Sequence, residues 1–210
     1  MKRGEEEDGR MLSVDDGKYL IRLARSSIES YFARKEPARA EGAPSHLREK
    51  RGVFVTLESF PDHELRGCIG YPEPVKELAR AVAECAVSSA VGDPRFPPMK
   101  AGELKDVVVE ISVLTVPELM RVSGPREYPN KIKVGVDGLI IECGGYSGLL
   151  LPQVPVEWKW NETEFLSHVC EKAGLPVDFW LQRGAKLYKF QAQIFSEVSP
   201  NGEAEEKKIC

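Results

Sequence analysis

The chain has 210 residues, 42% hydrophobic and 30% charged, a balance that fits a folded protein with a sizeable core and excludes wholesale disorder. A formal net charge of −4 argues against a general nucleic-acid binder, which needs a basic excess to displace counterions from phosphates. No apolar run approaches the ~20 residues that span a bilayer, and the charged residues 1–10 are not followed by a signal-peptide core. A cytoplasmic protein with neither nucleic-acid nor membrane partners is therefore expected.

Residues 1–12 read as a flexible tail rich in Glu and Asp. Ser13, with Asp16 three residues on, starts a helix whose stripe is Leu20, Leu23, Ala24, Ser27, Ile28 and Tyr31. Pro37 ends it, and 36–51 is a charged connection. The β-branched and aromatic run 52–58 is a strand, the turn residues Pro61, Asp62 and His63 follow, and 65–71 returns as the second arm of a hairpin. Val75, Leu78, Ala79, Val82, Ala86 and Ala90 mark a second helix, stopped by Gly92-Asp93-Pro94. Residues 105–115 alternate as a strand. Segments 132–136 and 139–143 flank Asp137-Gly138, a hairpin-turn dipeptide, and predict a second hairpin there. Asn161 and Glu164 predict a helix start, Gly174 its end, and 186–198 one last strand. Residues 199–210 read as a second flexible tail. Hairpins among interspersed helices predict an α+β fold with antiparallel pairing, ordered over 13–198.

Chemistry concentrates at Arg66-Gly67-Cys68-Ile69-Gly70. Glycines inside a strand mark a bulge or a close approach by backbone or ligand. Cys68 then reads either as a thiol at a pocket, with Arg66 binding an anion or lowering the thiol pKa, or as a small buried apolar residue beside glycines that let a helix pack closely. Asp93-Pro94-Arg95-Phe96 forms a stiff loop. Its Arg95 would clamp a carboxylate or phosphate with Asp93 orienting it, or the two would simply pair with each other. Gln153 lies between prolines as a candidate substrate contact. Trp158 and Trp160, read on one face of an extended segment, would stack on a ligand or cover the core. His63, five residues before Cys68, is either a base for the thiol or a solvated turn residue. The cysteines, Cys68, Cys85, Cys143, Cys170 and Cys210, are odd in number and widely spaced, which predicts free thiols. With no CxxC, HExxH, Walker A, GxSxG or GxGxxG pattern, no metal and no cofactor is expected.

These same blocks, with Glu110-Ile111-Ser112-Val113-Leu114, Gly135-Val136-Asp137-Gly138-Leu139 and Leu149-Leu150-Leu151-Pro152-Gln153-Val154, resemble in order the signature stretches of the AMMECR family. The resemblance runs over 13–198 and looks like a single-domain archaeal or bacterial member. Pro155 departs from the small residue usual there. The resemblance implies an α+β fold with a larger part from both chain ends and a smaller central part. It also implies a cleft lined by the Arg-Gly-Cys block, and association with Memo-like and radical-SAM proteins. It implies no established activity. Two functions stay open. One is a Cys-dependent enzyme or enzyme component with Cys68 and Arg66 catalytic and Gly67, Gly70, Asp93, Arg95 and Gln153 contacting substrate. The other is a non-catalytic adaptor whose cleft recognises a small molecule, a peptide or a partner protein.

Overall fold

The computed structural model describes residues 11–182 and 184–209, so the expected N-terminal tail lies outside it up to residue 10, as does Cys210. In chain order the elements are α1 (Val14–Arg34), β1 (Gly52–Ser59), β2 (Leu65–Tyr71), α2 (Leu78–Val91), β3 (Val107–Leu114), β4 (Glu118–Leu119), β5 (Gly138–Cys143), β6 (Tyr146–Leu150), α3 (Gln153–Glu157), α4 (Glu162–Lys172), β7 (Lys186–Phe190), β8 (Ala192–Glu197) and β9 (Ala204–Lys207). They divide into two compact units. The larger takes the chain up to Leu114 together with 193–207, and the smaller takes 115–192 and the last residues. This is the α+β class expected, with the larger part made from both ends of the chain.

The larger unit holds a sheet of order β2-β1-β3-β8-β9, in which β1 runs antiparallel to β2 and β3, and β8 to β9. Period-two alternation sends Val53, Val55 and Leu57, and Val109, Ile111 and Val113, into one core with the apolar stripes of α1 and α2. α1 forms where expected, because Ser13 and Asp16 close a reciprocal cap at its start. It stops at Lys35, held at φ +64°. α2 is rich in alanine and lies close against β2. A Cβ added to Gly67 would stand 2.1 Å from the Ser89 carbonyl oxygen, so only glycine fits at that crossing.

The smaller unit has a sheet of order β4-β7-β5-β6, with β5 antiparallel to β6 and β7. Leu139, Ile141 and Leu187 meet Phe165, Leu166 and Val169 of α4, whose Asn161–Glu164 cap is the one read from sequence.

Five local expectations are corrected. The Asp137-Gly138 turn is not formed. The buried Asp137 carboxylate accepts the Lys133 N–H (2.9 Å), and the hairpin instead joins β5 to β6 through Gly144 and Gly145, both at positive φ. Residues 132–136 are not a strand. The single last strand over 186–198 is cut at Gln191, where the backbone leaves the smaller sheet as β7 and enters the larger as β8. Gln191 exchanges two hydrogen bonds with Thr115, whose N–H donates to the Gln191 carbonyl and whose hydroxyl accepts the Gln191 N–H, both 2.9 Å. The expected tail over 199–210 contains β9, paired with β8 and anchored by buried Ala204. At the other end Leu12, read as the last residue of a tail, is buried and bonded through its backbone to the Gln193 side chain.

Candidate functional site

The Arg66-Gly67-Cys68-Ile69-Gly70 block forms most of β2, the edge strand of the larger sheet. The register runs Phe54↔Gly70, Val55↔Ile69, Thr56↔Cys68, Leu57↔Gly67 and then Glu58↔Leu65, so Arg66 is the extra residue of a bulge. A bulge re-aims the side chain it carries. The Arg66 guanidinium turns away from the thiol and donates to the Pro97 carbonyl (2.9 Å) and the Glu103 carboxylate (3.0 Å). Its Nη1 is buried without a partner among the described residues. The expectation that Arg66 tunes the thiol is therefore corrected, because the strand geometry that would put residues 66 and 68 side by side is broken between them.

The cation beside Cys68 is Arg95. Asp93, whose side chain is 2% exposed, accepts the Cys68 N–H (2.9 Å). The same carboxylate takes Arg95 in a two-pronged pair, Nε to Oδ1 at 3.0 Å and Nη2 to Oδ2 at 2.7 Å. Arg95 Nη2 also donates to the Cys68 carbonyl (3.2 Å). The loop after α2 thus clasps both backbone groups of Cys68. Next to it, the Ser89 hydroxyl accepts the Ile69 N–H (2.9 Å) and donates to the Val55 carbonyl (2.7 Å). An unpaired sheet edge invites pairing with another chain. Here Asp93, in the loop after α2, occupies the edge at the Cys68 N–H, while the Ser89 hydroxyl, bonded to both strands, bridges β2 to β1. Charge assistance makes these bonds strong, and the Arg95 contact holds the Asp93 carboxyl far below the usual carboxylate range against the opposing effect of burial.

The half-buried Cys68 thiol accepts a hydrogen bond from the Thr56 hydroxyl (3.4 Å). Burial pushes its pKa up, and Thr56 and the Arg95 charge offset that only in part. At neutral pH the group is a thiol and not a thiolate. Cys85, buried in the core behind, is pushed up to about 12 by the same cause. His63 does not serve as a base at this thiol, because its Nδ1 faces Glu58 (3.1 Å) and its ring packs on Phe60.

Residues not singled out from sequence complete the arrangement. The register places Cys68, Thr56 and Glu110 in one row across β2, β1 and β3, on the sheet face opposite the helices. Glu110 is buried and ion-paired with Lys207 of β9 (2.9 Å), and next to it on β3 the Ser112 hydroxyl is buried without a partner among the described residues. The signal lay in the phase of the strand. Glu110 and Ser112 are polar at alternate positions of a segment that is otherwise aliphatic, so one face of a wholly buried strand carries polar groups.

The glycines mark close approach from within the protein: Gly67 lies against the α2 backbone and Gly70 against the Phe54 ring. Gln153 lies in the smaller unit on α3, with its Oε1 buried and unpartnered among the described residues. Trp158 and Trp160 follow that helix instead of occupying an extended segment. Among the described residues no group of three His, Cys, Asp or Glu side chains is placed to hold a metal ion, and no helix is long and apolar enough to cross a membrane.

A family model described as AMMECR1 matches residues 21–195. The chain is similar to protein MJ0810 of Methanocaldococcus jannaschii, at 54% identity over 200 residues that cover 95% of this chain and 99% of the relative. It is similar to protein MK0488 of Methanopyrus kandleri at 49% over 203 residues, covering 96% and 98%. Among solved structures it matches the crystal structure of PH0010 from Pyrococcus horikoshii with a TM-score of 0.90 and 52% identity, covering 94% of this chain and 98% of that one.

Proposed function

The chain belongs to the AMMECR1 family, and from that premise we propose that it is a non-catalytic cytoplasmic binding protein that holds a partner protein at the strand edge over residues 66–70. One observation carries this reading: a single carboxylate, Asp93, binds the Cys68 N–H and the Arg95 guanidinium at once. The clasp fixes the edge before any partner arrives, so little ordering remains to be done on binding. It leaves Arg95 half exposed, with its outer donors turned to a carboxylate on the partner and its guanidinium over the Phe96 ring at 5.5 Å. The Memo-like and radical-SAM proteins implied by the family resemblance are the partners to test first.

The second reading, a Cys-dependent enzyme or enzyme component, draws on the row of Cys68, Thr56 and Glu110. In it the Cys68 proton passes to the Thr56 hydroxyl, which gives up its own proton to the Glu110 carboxylate, as the thiol becomes a nucleophile.

Alkylation of Cys68 against pH, followed by mass spectrometry with Cys143 as the internal reference, separates the two. The binding reading expects slow reaction at pH 7 and a midpoint above the ordinary thiol range. Calorimetry with the purified partner should then show Cys68→Ser binding as the wild type does and Arg95→Ala binding several-fold more weakly. Fast alkylation at neutral pH that Glu110→Gln slows would overturn it in favour of the enzyme.

A further inference from the structure

The turn after α3 builds a surface that the Cys68 region does not use. Lys159 adopts φ +56°. Its N–H donates to the Val156 carbonyl (3.1 Å), and the Trp160 N–H donates back to the Pro155 carbonyl (2.8 Å). This pair of reverse bonds is a helix stop usually built on glycine. The reversal brings the Trp160 ring against Trp158, with centroids 6.1 Å apart and planes 19° from parallel. Trp160 lies in turn on His168 of α4, at 3.7 Å and 15°. His168 Nδ1 is 2.7 Å from a carboxylate oxygen of Glu171. Three rings therefore form one column. The inner end is tied to α4, and the outer ring, Trp158, is 67% exposed.

An indole held this way presents one free face in a fixed orientation. Its rotamer freedom has already been lost on folding, and tryptophan is among the side chains that concentrate binding energy at interfaces. The local charge selects what the face attracts. Residues 157–172 carry Glu157, Glu162, Glu164 and Glu171 against only Lys159 and Lys172. Glu162 and Glu164 stand in the first turn of α4, directly after the tryptophans in the chain. A ring face is negative at its centre, and the net negative charge of this segment adds to that potential, so a cation is favoured over an anion. Of the two cationic side chains arginine fits better, because a planar guanidinium stacks on an indole while an ammonium does not.

We propose that Trp158 is a docking point for an arginine side chain of a partner protein, its guanidinium stacked on the free indole face within the field of the α4 carboxylates.

The test uses the full chain with ¹⁵N-labelled indoles and an acetylated, amidated peptide of alternating Arg and Gly, with Lys and Glu versions as controls. The Trp158 indole signal is identified by its absence in Trp158→Phe. It should move saturably with the Arg peptide, move several-fold less with the Lys peptide, and stay still with the Glu peptide. Trp158→Ala should weaken binding about tenfold, within the range that cation–π contacts give. Trp158→Phe, which keeps a ring, should weaken it less, and Glu162→Gln should weaken it about threefold. Equal binding of the Glu peptide, unchanged affinity in Trp158→Ala, or no movement of the Trp158 signal at millimolar Arg peptide would overturn the proposal. Movement of that signal on dilution of the protein alone would overturn it too, by assigning the face to a second copy.

Discussion

Arg25–Glu197 and Arg95–Asp93 are built alike within the larger unit. In each, a carboxylate takes a guanidinium through two bonds and also accepts a strand N–H, that of Val109 for Glu197 and that of Cys68 for Asp93. In each, the arginine also donates to backbone carbonyls, those of Leu104 and Val107 for Arg25 and that of Cys68 for Arg95. They differ in what covers the arginine: the Arg25 side chain is 7% exposed and that of Arg95 48%. Arg25 ties α1 to the sheet and directs four of its five N–H donors into the protein. It is a wall residue of a hollow of about 660 Å³ that Lys18, Arg22, Glu29 and Glu203 also line, but its own donors point into the protein. Arg95 keeps an outward side. The same pair chemistry is wholly internal where the cation is enclosed, and it leaves an outward-facing guanidinium where the cation is half open.

The widest gap between the two should appear in stability. Glu197→Gln leaves a buried guanidinium without its counter-charge and is expected to cost about 3–5 kcal/mol in urea unfolding. If it costs no more than the corresponding change at Asp93, enclosure does not distinguish the pairs.

Next comes Gly67→Ala, which forces a methyl toward the Ser89 carbonyl, a contact of 2.1 Å if nothing moves. Separating α2 from β2 should cost about 2–3 kcal/mol. It should also speed alkylation of Cys68, because α2 leads into the Asp93–Arg95 loop that holds the Cys68 backbone. A stability loss without a change in thiol access would mean that the clasp alone holds the edge.

Asp93→Asn should cost less, about 1–2 kcal/mol, since solvent screens the half-exposed partner. Its signature is in pH. The Asp93 pKa is depressed in the fold, so its contribution is complete above the unfolded value near ~4 and is lost as pH falls toward the folded one. The variant should therefore have a flatter stability curve below about pH 4 and a constant deficit at neutral pH. A deficit that grows from pH 7 to pH 9 would contradict this sign.

The smallest effect is expected in the other unit. Lys159→Gly removes the cost of a side chain at φ +56° and should raise stability by about 0.5–1 kcal/mol while leaving the Trp158–Trp160 stack in place. A lost stack, read from the indole signals, would show that the lysine side chain and not the backbone reversal sets the rings.

Much of the molecule was legible because its signals are local. The caps at Ser13 and Asn161, the stripes of α1, α2 and α4 and the β1–β2 hairpin each depend on residues within a few positions of one another. Even the pairing of Asp93 with Arg95, two residues apart, was one of the readings the sequence offered. Asp137-Gly138 carries a turn signal that the neighbouring Gly144-Gly145 also offers, and only the pairing of β5 with β7, which begins at Gly138 with Phe190, decides between them.

What the tertiary structure alone decided is register. The bulge that turns Arg66 toward Glu103 instead of Cys68 follows from how β2 pairs with β1. The row of Cys68, Thr56 and Glu110 exists only because three separated strands align. The exit of the chain from one sheet into another at Gln191 follows from pairing partners more than forty residues away. Local propensity fixes which residues become strand, but it carries no information on which strand lies alongside, and a shift of one residue in that pairing moves every side chain to the other face.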